Sequence, residues 1–235
     1  MISYRFILDD GRTIEFNVHL ERPTGCSSGI AETPEWTRLE FNQCPNCPLK
    51  IGENPLCPAA KDIRDVTERF SEIVSFERAT VEVITPDRTY LKKCDVQTGL
   101  RSLLGLIMAT SACPVLSQFK GLSYFHLPFA TLEENLFRTV SAYLLKQYFA
   151  YKEGFSPDLD LIGLSKFYEE LQSVNRSLKK RMDAASKLDA NLNAVGTLVL
   201  ISASVNDALE TRLSDLHKKF FPSVVGEFEQ GWNKS

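Results

Sequence analysis

The stretch at residues 88–114, RTYLKKCDVQTGLRSLLGLIMATSACP, is where one kind of chain gives way to another. Residues 88–94 follow a Pro86-Asp87 turn and read as a strand. From Val96 to Ser111 the residues are apolar nearly all round, which predicts a buried helix rather than an amphipathic surface one. Pro114 cannot continue that helix and leaves Cys113 at its C-terminal end.

Towards the N-terminus the signals are those of strands. Residues 2–8 and 12–19 alternate apolar and polar around Asp9-Asp10-Gly11, a β-hairpin pattern. Residues 21–34 are loop-like, and residues 36–41 read as a strand that delivers the chain to Cys44. Residues 59–70 place Ile63, Val66 and Phe70 on one helical face, and residues 75–84 form another strand.

Towards the C-terminus nearly everything is helical. Residues 119–129 are irregular and aromatic, with His126 among them. Thr131 and Glu134 have the spacing of a capping box, opening a helix that runs to about residue 151. Asp158 or Asp160 caps the next helix, which carries Leu164, Tyr168, Leu171, Leu178 and Met182. A last helix carries Leu192 through Leu216, with the break between the two at residues 187–191. Without that break the pair would form a rod of roughly 90 Å at 1.5 Å per residue, too long for a compact domain. The expected fold is therefore α+β. A small antiparallel sheet with a cysteine-rich loop occupies residues 1–93, and a mainly antiparallel helical bundle residues 94–235, the two packed as one unit.

The loop between the expected strand at residues 36–41 and the helix at residues 59–70 holds most of the candidate site. Residues 42–59 read NQCPNCPLKIGENPLCPA, and Cys44, Cys47 and Cys57 are each followed directly by proline. Cys113-Pro114 is a fourth such pair. Six cysteines in a chain of ordinary proline content would give only about 0.3 Cys-Pro pairs by chance. Each proline fixes φ, removes an N–H and biases the preceding cysteine towards extended backbone. Four thiols on stiffened corners suit preorganised metal ligands. Cys44-Pro45-Asn46-Cys47 is a C-x-x-C arc of the kind that lets two thiolates reach one ion, as in zinc and iron–sulfur sites. It resembles half of a zinc-ribbon or rubredoxin-type knuckle, except that Pro48 stands where a glycine N–H would face the sulfur, so that hydrogen bond must come from elsewhere. The expected metal ligands are Cys44, Cys47, Cys57 and Cys113, with zinc as the ion and an iron–sulfur cluster as the alternative. His126 is either a packed, hydrogen-bonded histidine or a ligand in place of Cys113. Cys26 and Cys94 lack the following proline and read as structural.

The blocks CPNCPL, CPAA, LLGLIMATSACP, FHLPFATLEE and YLLKQYF together resemble those of a bacterial family of uncharacterised proteins. The resemblance spans most of the chain and implies that these blocks travel together. It supplies no activity and no catalytic residue.

The composition narrows the function classes. At 235 residues, 43% hydrophobic and 24% charged, the chain is that of a globular protein able to bury a large core. A net charge of −3 argues against general nucleic-acid binding, which needs a basic face. No apolar stretch is long enough to span a bilayer, and the first residues lack a basic region leading into an apolar run, so a cytoplasmic protein is expected. In a reducing compartment, clustered cysteines favour metal or redox chemistry over disulfides. No zinc-protease, P-loop, dinucleotide or serine-elbow motif is present. The sequence thus points to a non-enzymatic, metal-stabilised interaction or regulatory protein, its partner another protein or a second copy meeting the bundle. The alternatives are an iron–sulfur or Cys44/Cys47 dithiol redox protein and, last, a metal-dependent hydrolase using His126 and Glu134.

Overall fold

The computed structural model describes residues 1–21, 33–207 and 209–220. The expected loop at residues 21–34 and Cys26 lie almost wholly outside them. Strands β1 (Ile2–Leu8), β2 (Thr13–Val18), β3 (Arg78–Ile84) and β4 (Thr89–Asp95) form one antiparallel sheet in the order β2-β1-β3-β4. The alternation read from residues 2–8 appears as a pleat. Ile2, Tyr4, Phe6 and Leu8 are buried, and the residues between them are half-exposed. Ala79, Val81 and Val83 of β3 continue the same inward face. On the other face Arg5 bridges Glu15 of β2 and Glu82 of β3, a cross-strand charge pairing of modest worth at the surface.

Helices α1 (Pro58–Arg69) and α2 (Val96–Ala109) cover the inner face. Phe70, just past α1, packs its ring on Phe6 at 5.0 Å and on Phe16 at 5.8 Å. The Asp95 carboxylate accepts the Thr98 N–H at 2.9 Å and so starts α2 directly from the end of β4. α2 buries Val96, Leu100, Leu103, Leu104, Leu106, Ile107 and Met108, the all-round apolar surface of a helix with neighbours on several sides. Gly99 is where it meets the sheet most closely: a Cβ there would stand 2.5 Å from Phe6 and 2.9 Å from Val81.

The expected strand at residues 36–41 is not formed. Residues Glu35–Thr37 make a short 3-10 turn, and only an isolated bridge, Arg38 with Leu56, has sheet pairing. Pro34 at the N-cap and the Thr37 hydroxyl returned to its carbonyl at 2.7 Å favour the turn.

Beyond α2 the chain turns through a 3-10 segment, Leu116–Phe119, and the one-turn helix α3 (Lys120–Ser123). α4 (Leu132–Lys152) opens with the capping box: Glu134 N–H donates to the Thr131 hydroxyl, and the Glu134 carboxylate accepts the Thr131 N–H. α5 (Ile162–Asp183) is capped from a distance, since the Asp158 carboxylate accepts from both Ile162 and Gly163 N–H while Leu161 sits at φ +60°. α6 (Ala190–Asp207) follows after a short link, and α7 (Leu209–Phe220) completes the described chain in place of a single last helix. Asn175 meets Leu198 and Ser202, and Lys179 lies beside Gly196, so residue numbers rise on α5 as they fall on α6. The two helices are therefore antiparallel, and α6 also packs on α2, which meets α1, α3 and the sheet as well and so lies at the centre of the molecule. One continuous buried cluster runs from Ile2 of β1 to Leu216 of α7. No helix among the described residues is long and apolar enough to cross a membrane.

A candidate cysteine centre

The four Cys-Pro cysteines come from three places in the chain, and each lies within electrostatic reach of others of the set. Cys57 is the N-cap of α1, held extended by Pro58 at N1, and is buried. Its sulfur faces the N–H groups of Ala59 and Ala60, two of the free donors at a helix start. Cys113 follows the end of α2, and its sulfur faces the N–H groups of Val115 and Leu116. The sequence placed this thiol at an unfavourable helix C-terminus. The chain instead folds forward into the Leu116–Phe119 turn and presents amide hydrogens to the sulfur. Cys44 and Cys47 form the knuckle, closed by Cys47 N–H donating to the Cys44 carbonyl at 3.0 Å. Ser177 of α5 stands near the Cys44 sulfur and favours its thiolate, the influence that an N–H at Pro48 cannot supply.

The four sulfurs are near enough to repel one another when charged. Burial pushes the Cys44 thiol up to about 11, partly offset by Ser177, and charge on Cys57, Cys113 or Cys47 adds to the rise. Burial likewise raises Cys57 and Cys113, each with a smaller contribution from Cys47. All four are free of disulfides. As they stand, no three His, Cys, Asp or Glu side chains among the described residues are disposed as a ready-made metal ligand set.

One face of α5 builds the wall behind this loop. The Glu170 carbonyl accepts from Asn46 Nδ2 at 3.1 Å, Ser177 reaches Cys44, and Arg181, one turn further on, is wholly buried. Arg181 Nη1 donates to the carbonyls of Trp36 at 2.7 Å and Arg38 at 2.6 Å, and Nη2 to that of Leu39 at 3.0 Å. Its Nε has no partner. Its polar partners among the described residues are thus main-chain carbonyls, and the ionisable group it is seen to influence is the Cys57 thiol, which its charge pulls downward. Sequence reading missed Arg181. An arginine among Lys179, Lys180 and Asp183 at the end of a helix has no mark that separates it from a solvated one.

His126 lies elsewhere. Its Nε2 bonds the Tyr4 hydroxyl at 2.6 Å, and that hydroxyl also meets Ser102 Oγ at 2.8 Å. Burial, with a smaller push from Arg138, lowers the imidazole to about 3, so it is neutral at ordinary pH. This is the packed, hydrogen-bonded histidine of the two alternatives read from sequence. Arg138 does not close on Glu134. It donates to the carbonyls of Leu122 and Phe125, at 3.2 and 2.7 Å, and so pins the end of α3 to α4.

Comparison with the curated proteins and with the solved structures gives no match. A family model, described as a domain of unknown function (DUF6901), matches residues 2–221, a span that takes in the sheet, the cysteine loop and all of the described helices. The chain belongs to that family.

Proposed function

We propose that this is a non-enzymatic binding protein whose fold is stapled by one zinc ion held by Cys44, Cys47, Cys57 and Cys113. What supports the reading is that these thiols lie within electrostatic reach of one another, with Cys57 also under the influence of a buried guanidinium that faces carbonyls instead of a carboxylate. An isolated buried cation is costly unless a counter-charge offsets it. Zinc bound by four thiolates carries a net charge of about −2, and Arg181 would neutralise part of it. The amide hydrogens at Cys57 and Cys113 and the Ser177 hydroxyl at Cys44 are the donors that thiolate sulfur accepts in such centres. A site closed by four sulfurs leaves no open position for substrate, so its role is structural.

The binding reading is supported by α4. Of its twenty-one residues only Leu136, Thr139 and Val140 are buried, while Phe137, Leu144, Leu145, Tyr148, Phe149 and Tyr151 are exposed. A contiguous apolar surface of this kind is characteristic of a protein–protein contact, and a partner protein or a second copy would cover it.

The test is substitution within and outside the set. Cys47→Ser and Cys113→Ser are each expected to lower bound zinc and the melting temperature together. Cys94→Ser, in β4 and outside the set, is expected to leave zinc content unchanged. Equal zinc content in all three would overturn the assignment. Visible absorption with bound iron and sulfide would replace zinc by the cluster.

A further inference from the structure

A cavity of about 180 Å³ lies beside α2, lined also by residues of α3, α4, α5 and α6 and by Ser102 and His126, the two partners of Tyr4. Leu106, Met108, Phe119, Leu171, Leu198 and Ile201 make it predominantly apolar. An apolar cavity of about 150 Å³ is already large enough to admit benzene. Three features distinguish it from a packing defect.

The first is Asn175, 2% exposed and lining the cavity. Its Nδ2 contacts the Leu198 carbonyl and Ser202 Oγ, both at 3.4 Å, and its Oδ1 has no partner among the described residues. Turning the amide over does not help, because the Leu198 carbonyl can only accept and Ser202 already donates to Val199. A buried amide oxygen without a donor costs about 1–3 kcal/mol, and a donor on a bound ligand would offset that cost. The second is charge. Arg101 and Arg138 line the cavity, and no carboxylate does. Arg138 uses its Nη2 on carbonyls, while Arg101 shows no hydrogen bond or ion pair to another described residue. The third is Gly105, in the middle of α2. A mid-helix glycine costs about 1 kcal/mol relative to alanine, yet a Cβ here would meet nothing within 4 Å. No neighbour requires the glycine, and what its missing side chain preserves is the open space.

We propose that this cavity binds a small anionic amphipath, namely a single-ring aromatic acid bearing a hydroxyl. The ring fills the apolar chamber, the hydroxyl donates to Asn175 Oδ1, and the carboxylate faces Arg101 and Arg138. This site is separate from the cysteine centre and does not depend on its metal.

The experiment is calorimetric titration of the full chain with 4-hydroxybenzoate, benzoate and phenol. The acid with the hydroxyl is expected to bind at least tenfold more tightly than either analogue. Asn175→Leu should bring 4-hydroxybenzoate down to the affinity of benzoate, and Arg101→Gln down to that of phenol. Gly105→Leu should fill the chamber and abolish binding of all three while the melting temperature holds or rises, which separates a blocked site from an unfolded one. Absence of binding by all three probes overturns the proposal. So does binding that Gly105→Leu leaves intact.

Discussion

Arg181 of α5 donates to the carbonyl of Trp36 at 2.7 Å, across 145 residues of sequence, and both residues are buried. With the bonds to Arg38 and Leu39, this guanidinium holds the segment that leads into the cysteine knuckle. Arg181→Met removes three charge-assisted hydrogen bonds and takes the side-chain donor from the carbonyls of buried Trp36 and Leu39, while the Arg38 carbonyl keeps the Phe41 N–H. It is expected to destabilise the fold by about 1–3 kcal/mol for each buried carbonyl left without a donor, measured by urea denaturation. Arg181→Lys should recover only part of this, because an ammonium cannot span the same fork of carbonyls.

Gly99 tests how closely α2 approaches the sheet. On propensity alone, Gly99→Ala would stabilise the helix by about 1 kcal/mol. The Phe6 ring in the way is itself buried, so overpacking of about 1–3 kcal/mol is expected to dominate. Thermal unfolding should show a lower melting temperature for Gly99→Ala, and no loss for Gly105→Ala in the same helix, where a Cβ meets nothing.

His126 gives the protein a pH dependence of known sign. Its folded-state value of about 3 lies below the ordinary 6.5, so the unfolded chain takes up a proton that the folded chain refuses. This group's contribution is constant above about pH 6.5. As pH falls it costs stability at about 1.4 kcal/mol per pH unit towards pH 3. Against the wild type, His126→Gln is expected to flatten the decline between pH 6 and 4. Parallel stability curves for the two proteins would contradict the assignment.

The exposed aromatic face of α4 makes a separable prediction. Tyr148→Ser with Phe149→Ser changes side chains that are 52% and 55% exposed, so each should shift stability by no more than about 0.5 kcal/mol. Any self-association seen by analytical ultracentrifugation should weaken in the double variant. An unchanged self-association constant would move the contact elsewhere.

The sheet and most helices were legible because each carries a local signature: the alternation of residues 2–8, the Asp9-Asp10-Gly11 turn, and the Thr131/Glu134 box. The segment at residues 36–41 was misread because Trp36 and Leu39 are apolar for a reason unrelated to strand pairing. They face the core beside Arg181. The Cys-Pro pairs picked out four thiols, but that Cys113 comes within electrostatic reach of Cys47 and Cys57 depends on where α2 ends, a long-range event that no spacing encodes. Arg181, Ser177 and the α5 wall were invisible for the same reason, since their roles exist only once that helix lies against the knuckle.

The most direct measurement is elemental analysis of the full chain, purified without oxygen and without chelators. One zinc per chain, with no visible absorption, is the predicted result. A stable, folded protein that contains no metal would contradict the account. The four cysteines would then be no more than buried thiols that happen to share a neighbour.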